Sequence, residues 1–282
     1  MKYLFFFIAS VSLFYNGVLF YVEMHIDQKD HSKVYNDSHI TWSARGIYDS
    51  YATQNSIDSF KKAFDAGYMG AEVDCYYDEY LDKFIVSHDR KKVKDKKQYH
   101  YNLKQGKLLT LEKLFTTLGK NHYFWIDYKN LDRLHTKETL QAIKRLNKIT
   151  NIYHLKERIY LEGSTPNHLQ YYSDAGYKTL FAFGPLPNNH IFSSISSNIY
   201  KIVYYFYDLS AIAIQYGSIE NPKYGEDSQR NLKGIPTFLF HVPNDTALLK
   251  KLTKNKDIRV LLVGRDLSIN RTDILKKLQN NF

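Results

Sequence analysis

The stretch "GYMGAEVDCYYDEYLDKFIVSHD", Gly67 to Asp89, decides how the chain is read. One apolar run closes on Glu72 and Asp74, and a second, Phe84 to Val86, closes on His88. Glu72 and Asp74 stand two apart on a strand, so both side chains point to the same side. Paired inward carboxylates are costly unless a cation or a base neutralises them. The second run follows Asp74 too closely for a helical crossover. Residues 75–88 therefore read as a hairpin that returns to the same edge.

Outward from that stretch, short β-rich apolar runs alternate with helical patterns from His39 onward, with no internal repeat. The strands are expected to end near Ser43, Asp74, Asp127, Glu162, Phe183, Gln215, His241 and Val263. Helices are expected over 56–66, 110–118, 136–149, 165–175, 192–207, 227–232, 245–253 and 268–278. Ser56, Thr110, Asp245 and Ser268 stand at their starts as capping residues. Eight strand–helix units imply parallel strands closed into a (β/α)8 TIM barrel, which commonly has about this length of 282 residues.

In such barrels chemistry gathers at the carboxyl ends of the strands. Arg45, Glu72, Asp74, His88, Asp127, Lys129, Glu162 and His241 all fall at or just beyond those ends. Glu72, Asp74 and Asp127 make an all-oxygen set suited to one Ca²⁺ or Mg²⁺. The alternative is a metal-free carboxylate cluster paired with Arg45 and Lys129. Sulfur and clustered imidazole ligands for zinc are missing. His88 is the acid/base candidate, since imidazole titrates near neutrality.

Composition excludes global disorder: 44% of residues are apolar and 24% charged. The 25 tyrosines and 17 phenylalanines are expected to fill the core. A net charge of +10 suits anionic or phosphate-bearing partners. The lysines are scattered rather than gathered in a stripe, so no nucleic acid partner is expected. The densest basic run, "DRKKVKDKK" from Asp89 to Lys97, reads as a solvated loop, with contact to an anionic substrate or membrane as the alternative. Cys75 is the single cysteine, so no internal disulfide forms, and it reads as a small buried side chain.

Tyr3 to Val22 carries no charge and is long enough at helical rise to cross a bilayer. Residues 1–23 read as an uncleaved membrane anchor, with a cleaved signal segment as the rival. Lys2 points to a cytoplasmic amino end and an exported domain, extracytoplasmic or periplasmic; cleavage would instead give a secreted protein. Residues 24–37 read as a short polar stalk, and 38–282 as the barrel.

The ordered motifs resemble the glycerophosphodiester phosphodiesterase family, from about Ile40 to Asp266. "ARG" (Ala44 to Gly46) stands where the family has His-Arg-Gly, and "QNS" (Gln54 to Ser56) where it has Glu-Asn-Thr. "GYMGAEVD" matches its Glu-x-Asp strand, and His88-Asp89 its His-Asp pair. "LLTLEKLF" (Leu108 to Phe115) resembles a Pro-Thr-Leu-Glu-Glu segment. "WIDYK" replaces Ile-Glu-x-Lys, so Asp127 takes the third ligand position and Lys129 is kept. "FLFHVPND" (Phe238 to Asp245) is similar to its late Trp-Thr-Val-Asn strand, and "VGRD" replaces an acidic ending with Arg265.

The resemblance implies a metal-dependent phosphoric diester hydrolase acting on a glycerol- or lipid-like phosphodiester. Glu72, Asp74 and Asp127 would hold the metal. His88 and Arg45 would be catalytic, and Lys129, Glu162 and His241 would contact substrate. The family's first histidine is Ala44 here. Losing one general acid or base removes roughly 10²–10⁴ in rate. His241 and Glu162 are the residues that could compensate. Two alternatives stay open: a relative that binds a phosphodiester without turnover, and a lipid phosphodiester lyase forming a cyclic phosphate.

Overall fold

The computed structural model of the chain describes residues 2–30, 34, 40–93, 98–182 and 184–264. The expected helix at 268–278, Arg265, the strand end at Phe183, Lys94 to Lys97 and most of 31–39 lie outside them. In chain order the elements are α1 (Lys2–His25), β1 (Thr41–Ala44), α2 (Ile57–Asp65), β2 (Gly70–Asp78), β3 (Lys83–Val86), β4 (Arg90–Lys92) and β5 (Tyr99–Tyr101). Then come α3 (Leu111–Leu118), β6 (Tyr123–Tyr128), α4 (Thr136–Ile152), β7 (Ile159–Gly163), α5 (Pro166–Asp174), β8 (Lys178–Phe181) and α6 (His190–Phe206). The chain continues through β9 (Ala211–Gln215), α7 (Glu226–Asn231), β10 (Thr237–Val242), α8 (Thr246–Thr253) and β11 (Ile258–Val263).

Eight parallel strands close on themselves in the order β1, β2, β6, β7, β8, β9, β10, β11 and back to β1. This is the (β/α)8 barrel, and seven strand endings that the sequence placed fall within a few residues of those observed. The hairpin is present too. β1 stops opposite Glu72 (Ala44↔Glu72), which leaves the same edge of β2 open to β3. β3 runs antiparallel to the end of β2, from Cys75↔Val86 to Asp78↔Lys83. Arg90–Lys92 of the basic run form β4 and pair with β5, with the Arg90 guanidinium over the rings of Tyr76 and Tyr99.

Three expected caps are made, and the fourth, Ser268, lies outside the described residues. Ser56 accepts from Ser59 N, and Ser59 returns the bond to Ser56 N, a closed capping box. Thr110 accepts from Lys113 N, and Asp245 from Leu248 N.

Two apolar layers result. The outer one lies between strands and helices. The inner one fills the barrel with Trp42, Trp125, Tyr160, Leu180, Phe238, Val260 and Leu262. Gly70 is dictated by that filling: a Cβ there would sit 2.4 Å from the Trp42 ring. Val34 is buried against the same inner cluster, so part of the expected stalk folds onto the barrel. Tyrosine contributes heavily to the core as expected, and buried hydroxyls such as that of Tyr172, which donates to Tyr128 at 3.1 Å, are partnered. Cys75 is fully buried, and burial pushes its thiol upward.

The N-terminal helix α1 runs past Val22 to His25 and exposes most of its large apolar side chains. By length and composition it can cross a membrane; a signal sequence would pass the same test. Its last turns are docked. Val22 and Ile26 are buried, Glu23 pairs with Lys201 of α6 at 2.9 Å, and Tyr21 meets Tyr205 edge-on.

Candidate active site

Strand register carries the acidic residues to one wall of the mouth. Asp74 of β2 stands opposite Asp127 of β6, and Asp127 opposite Glu162 of β7. Glu72 sits one inward position deeper on β2, opposite Ala44 of β1. The Ala44 methyl is buried in the inner cluster, so that position contributes no titratable group.

Asp74 is the hub. Its side chain is fully buried and takes the Arg45 Nε at 2.9 Å, the Asn55 amide at 2.6 Å and the Lys129 ammonium at 2.7 Å. Glu72 lies 3.9 Å from the same Arg45 Nε, and Lys129 also donates to Asp127. Asp127 and Lys129 each keep about a fifth of their side-chain surface open at the mouth.

The turn after β1 is shaped to deliver Arg45. Arg45 and Asn55 adopt left-handed backbone, with φ of 58° and 52°, and Asn55 N donates to the Arg45 carbonyl at 3.1 Å. Such conformations cost of order 1 kcal/mol or more outside glycine. Here the Asn55 side chain is tied in return, accepting from Asp74 N at 3.1 Å. Gly46 follows at φ 82°, where a Cβ would strike the Ser59 backbone at 2.4 Å. Gln54 accepts from the other end of the Arg45 guanidinium at 3.3 Å.

The charges sort themselves by neighbour. Burial and then the Asp74 charge push Glu72 up to about 8, against Arg45. Burial works on Asp74 too, but Lys129 and Arg45 outweigh it and hold its carboxyl below the usual range. Asp127 is raised by burial, with Lys129 opposing. Glu162 is raised well above the carboxylate range by burial and by Asp127, while accepting from the Trp125 indole. Burial would lower Lys129, yet Asp127, Asp74 and Glu72 together raise it.

His88 is mounted at the rim by the hairpin. Ser87 N donates to the Asp74 carbonyl at 3.0 Å, and Tyr76 OH to the His88 carbonyl at 3.2 Å. The ring Nδ1 lies 3.0 Å from Asp89 Oδ1, and about a third of the side chain is open to solvent. Asn102 secures the turn through its N–H on Ser87 Oγ at 3.0 Å. His241 stands on β10 at a break in the β10–β11 register, with φ of 51° and its ring edge-on to Phe240. Two strands, β11 and β1, separate it from β2.

The structure thus joins Arg45, Glu72, Asp74, Asp127 and Lys129 in one network, with Glu162 coupled to its edge and His88 above it. Sequence reading missed Asn55 and Gln54 as parts of the site. The signal was the "QNS" turn itself, because asparagine is the residue most suited to a left-handed turn with a side chain to offer.

The donor set fits a hard divalent cation. One oxygen each from Glu72, Asp74 and Asp127 can lie within 4.8 Å of the others, and all are carboxylate. A cation there would also offset the mutual repulsion of the Glu72 and Asp74 carboxylates.

No family model matches the chain, and no curated protein does. Solved structures do. A glycerophosphodiester phosphodiesterase from Parabacteroides distasonis superposes with a TM-score of 0.58 at 15% identity, covering 87% of this chain and 98% of that one. One from Agrobacterium tumefaciens gives 0.52 at 12% identity, over 84% and 99%. A glycerophosphoryl diester phosphodiesterase domain from Mycobacterium tuberculosis gives 0.52 at 8%, over 87% and 100%. At these identities the likeness is one of fold.

Proposed function

We propose that this barrel is a metal-dependent phosphoric diester hydrolase acting on glycerophosphodiesters or a related lipid or glycan phosphodiester. The observation that supports it most is the Glu72–Asp74–Asp127 oxygen cluster at the mouth of a barrel shared with phosphodiesterases of that kind. In this reading the three carboxylates hold Ca²⁺ or Mg²⁺, whose charge would steady the phosphate oxygens. Arg45 and Lys129 bring fixed positive charge to the same anion. His88, oriented by Asp89, exchanges a proton with the leaving alkoxide. Glu162 and His241 line the pocket. The α1 helix anchors the domain in a membrane with the barrel on the exported side, or is removed as a signal segment.

A second reading has its own observation. Ala44 leaves the β1 position beside Glu72 without an imidazole, and Asp74 already has three protein partners. A barrel that binds a phosphodiester without turning it over fits those facts.

The deciding experiment is turnover of glycerophosphodiesters and a chromogenic phosphodiester with Ca²⁺, Mg²⁺ or chelator, on wild type, His88→Ala and Ala44→His. The hydrolase reading expects cation-dependent turnover that His88→Ala lowers by roughly 10²–10⁴. Inert wild type with every cation, beside an Ala44→His variant that gains turnover, favours the binding protein. A cyclic rather than linear product would make the reaction an internal transfer.

A further inference from the structure

Helix α6 carries an apolar stripe on its outward face as well as core-facing residues. The residues it buries against the barrel are Ser193, Ser197, Tyr200, Lys201 and Tyr204. The large apolar residues it exposes are Ile191, Phe192, Ile195, Ile199 and Phe206, each between 41% and 69% open. At 3.6 residues per turn those five fall within an arc of about 100°. A soluble barrel helix has the reverse arrangement, with the apolar stripe inward.

What flanks this stripe points to its occupant. Helix α1, apolar enough to cross a bilayer, is docked on the C-terminal end of α6 through Glu23–Lys201, Tyr21–Tyr205 and the bonds from Lys29 to the Tyr204 and Tyr207 carbonyls. Phe206 belongs to both surfaces, since it lines one shallow groove with Phe14, Gly17, Val18 and Tyr21 of α1. The apolar face of α6 therefore continues the apolar face of α1. At its other end α6 begins just after β8, on the side of the barrel where the strands finish and Asp74, Asp127 and Glu162 stand.

We infer that the α6 stripe of Ile191, Phe192, Ile195, Ile199 and Phe206 lies in a lipid bilayer surface, so that the barrel rests side-on and its mouth opens beside the headgroups. An amphipathic helix seated this way buries its apolar face at the headgroup–acyl boundary. The inference rests on α1 being a membrane span, and it goes further. A span alone holds the barrel at one docked joint, whereas the α6 seat adds a second membrane contact that sets its orientation and hands it substrates from the plane of the membrane.

The test uses the full chain reconstituted in phosphatidylcholine–phosphatidylglycerol vesicles. An environment-sensitive fluorophore is placed on Ile191→Cys, Ile199→Cys, Leu13→Cys or Lys61→Cys, one at a time. Cys75 is fully buried and does not compete for label. Leu13 reports α1, and Lys61 lies on α2, diametrically across the barrel from α6. The expected result is a blue shift and quenching by doxyl lipids at 191, 199 and 13, with neither at 61. Quenching at 13 with water-like emission at 191 and 199 overturns the α6 seat and leaves the anchor standing. Water-like emission at 13 as well overturns both. A blue shift at 191 and 199 that doxyl lipids do not quench, but a quencher-labelled second copy does, replaces the bilayer with self-association. Quenching at 61 too shows unspecific adsorption and removes the oriented seat.

Discussion

Lys129 and Lys29 are both lysines drawn against the protein interior, and they are shifted in opposite directions. Lys129 faces three carboxylates at the barrel mouth and holds its proton more tightly than a free lysine. Lys29, at the α1–α6 joint, donates to two backbone carbonyls, and burial pulls it down to about 8 against the weak opposition of Asp208. The contrast shows what each region is built for. The mouth is a charge-holding device whose members neutralise one another. The joint is a largely apolar seam whose two cations are each held locally, Lys29 by backbone carbonyls and Lys201 by Glu23.

The comparison can be broken most forcefully at its hub. Asp74→Ala removes the counter-charge of two buried cations. It is expected to cost about 3–5 kcal/mol of stability, read from urea unfolding. Cation affinity, followed by titration calorimetry, is expected to vanish, and Asp74→Asn is expected to lose the same affinity with a smaller stability loss. If Asp74→Ala is as stable as wild type, the mouth is not the balanced cluster described here.

Asn55→Ala sharpens the picture with a smaller change. It deletes both bonds by which the Asn55 side chain ties the β1–α2 turn to β2, leaving the Arg45 contact, and strips buried Asp74 N of its acceptor. A loss of about 1–3 kcal/mol is expected by the same unfolding measurement. Cation affinity is expected to weaken rather than disappear.

The smallest effect concerns the joint. Lys29 has a folded value near 8 against 10.5 in the open chain, so between those limits the unfolded state binds more protons. Its contribution to stability is therefore least below about pH 8 and grows as the pH rises towards 10.5. Thermal midpoints of wild type minus those of Lys29→Met are expected to climb through that window. A difference that stays flat would show Lys29 to be solvated in solution.

Much of this was legible in the residues. Strand endings near Asp127, Glu162 and Gln215 announced themselves because an apolar run stopped at a polar residue. The helices over 110–118 and 245–253 carried visible caps. The carboxylate cluster followed from strand periodicity plus barrel closure, and no tertiary contact had to be known. Asn55 was hidden for the opposite reason: its clamp joins residues 19 apart through a turn whose left-handed backbone has no periodic signature. The docking of α1 was hidden too. An apolar run reads the same whether lipid or a neighbouring helix covers it, and only packing shows that Val22 and Ile26 are covered by protein. The outward stripe of α6 needed the same knowledge of which side meets the barrel.

The β2–β3 hairpin has a consequence for how the mouth moves. The carboxylates of Glu72 and Asp74 and the imidazole of His88 are mounted on one continuous ribbon, closed by Ser87 N on the Asp74 carbonyl. A histidine carried on a free loop would have to be brought in by a closing motion at every cycle. Here the imidazole and the two carboxylates sit on a single hydrogen-bonded limb. In the proposed hydrolase, segment 70–88 would be the fixed jaw of a vice, and fitting to the alcohol would fall to the wall where Phe240 and His241 stand.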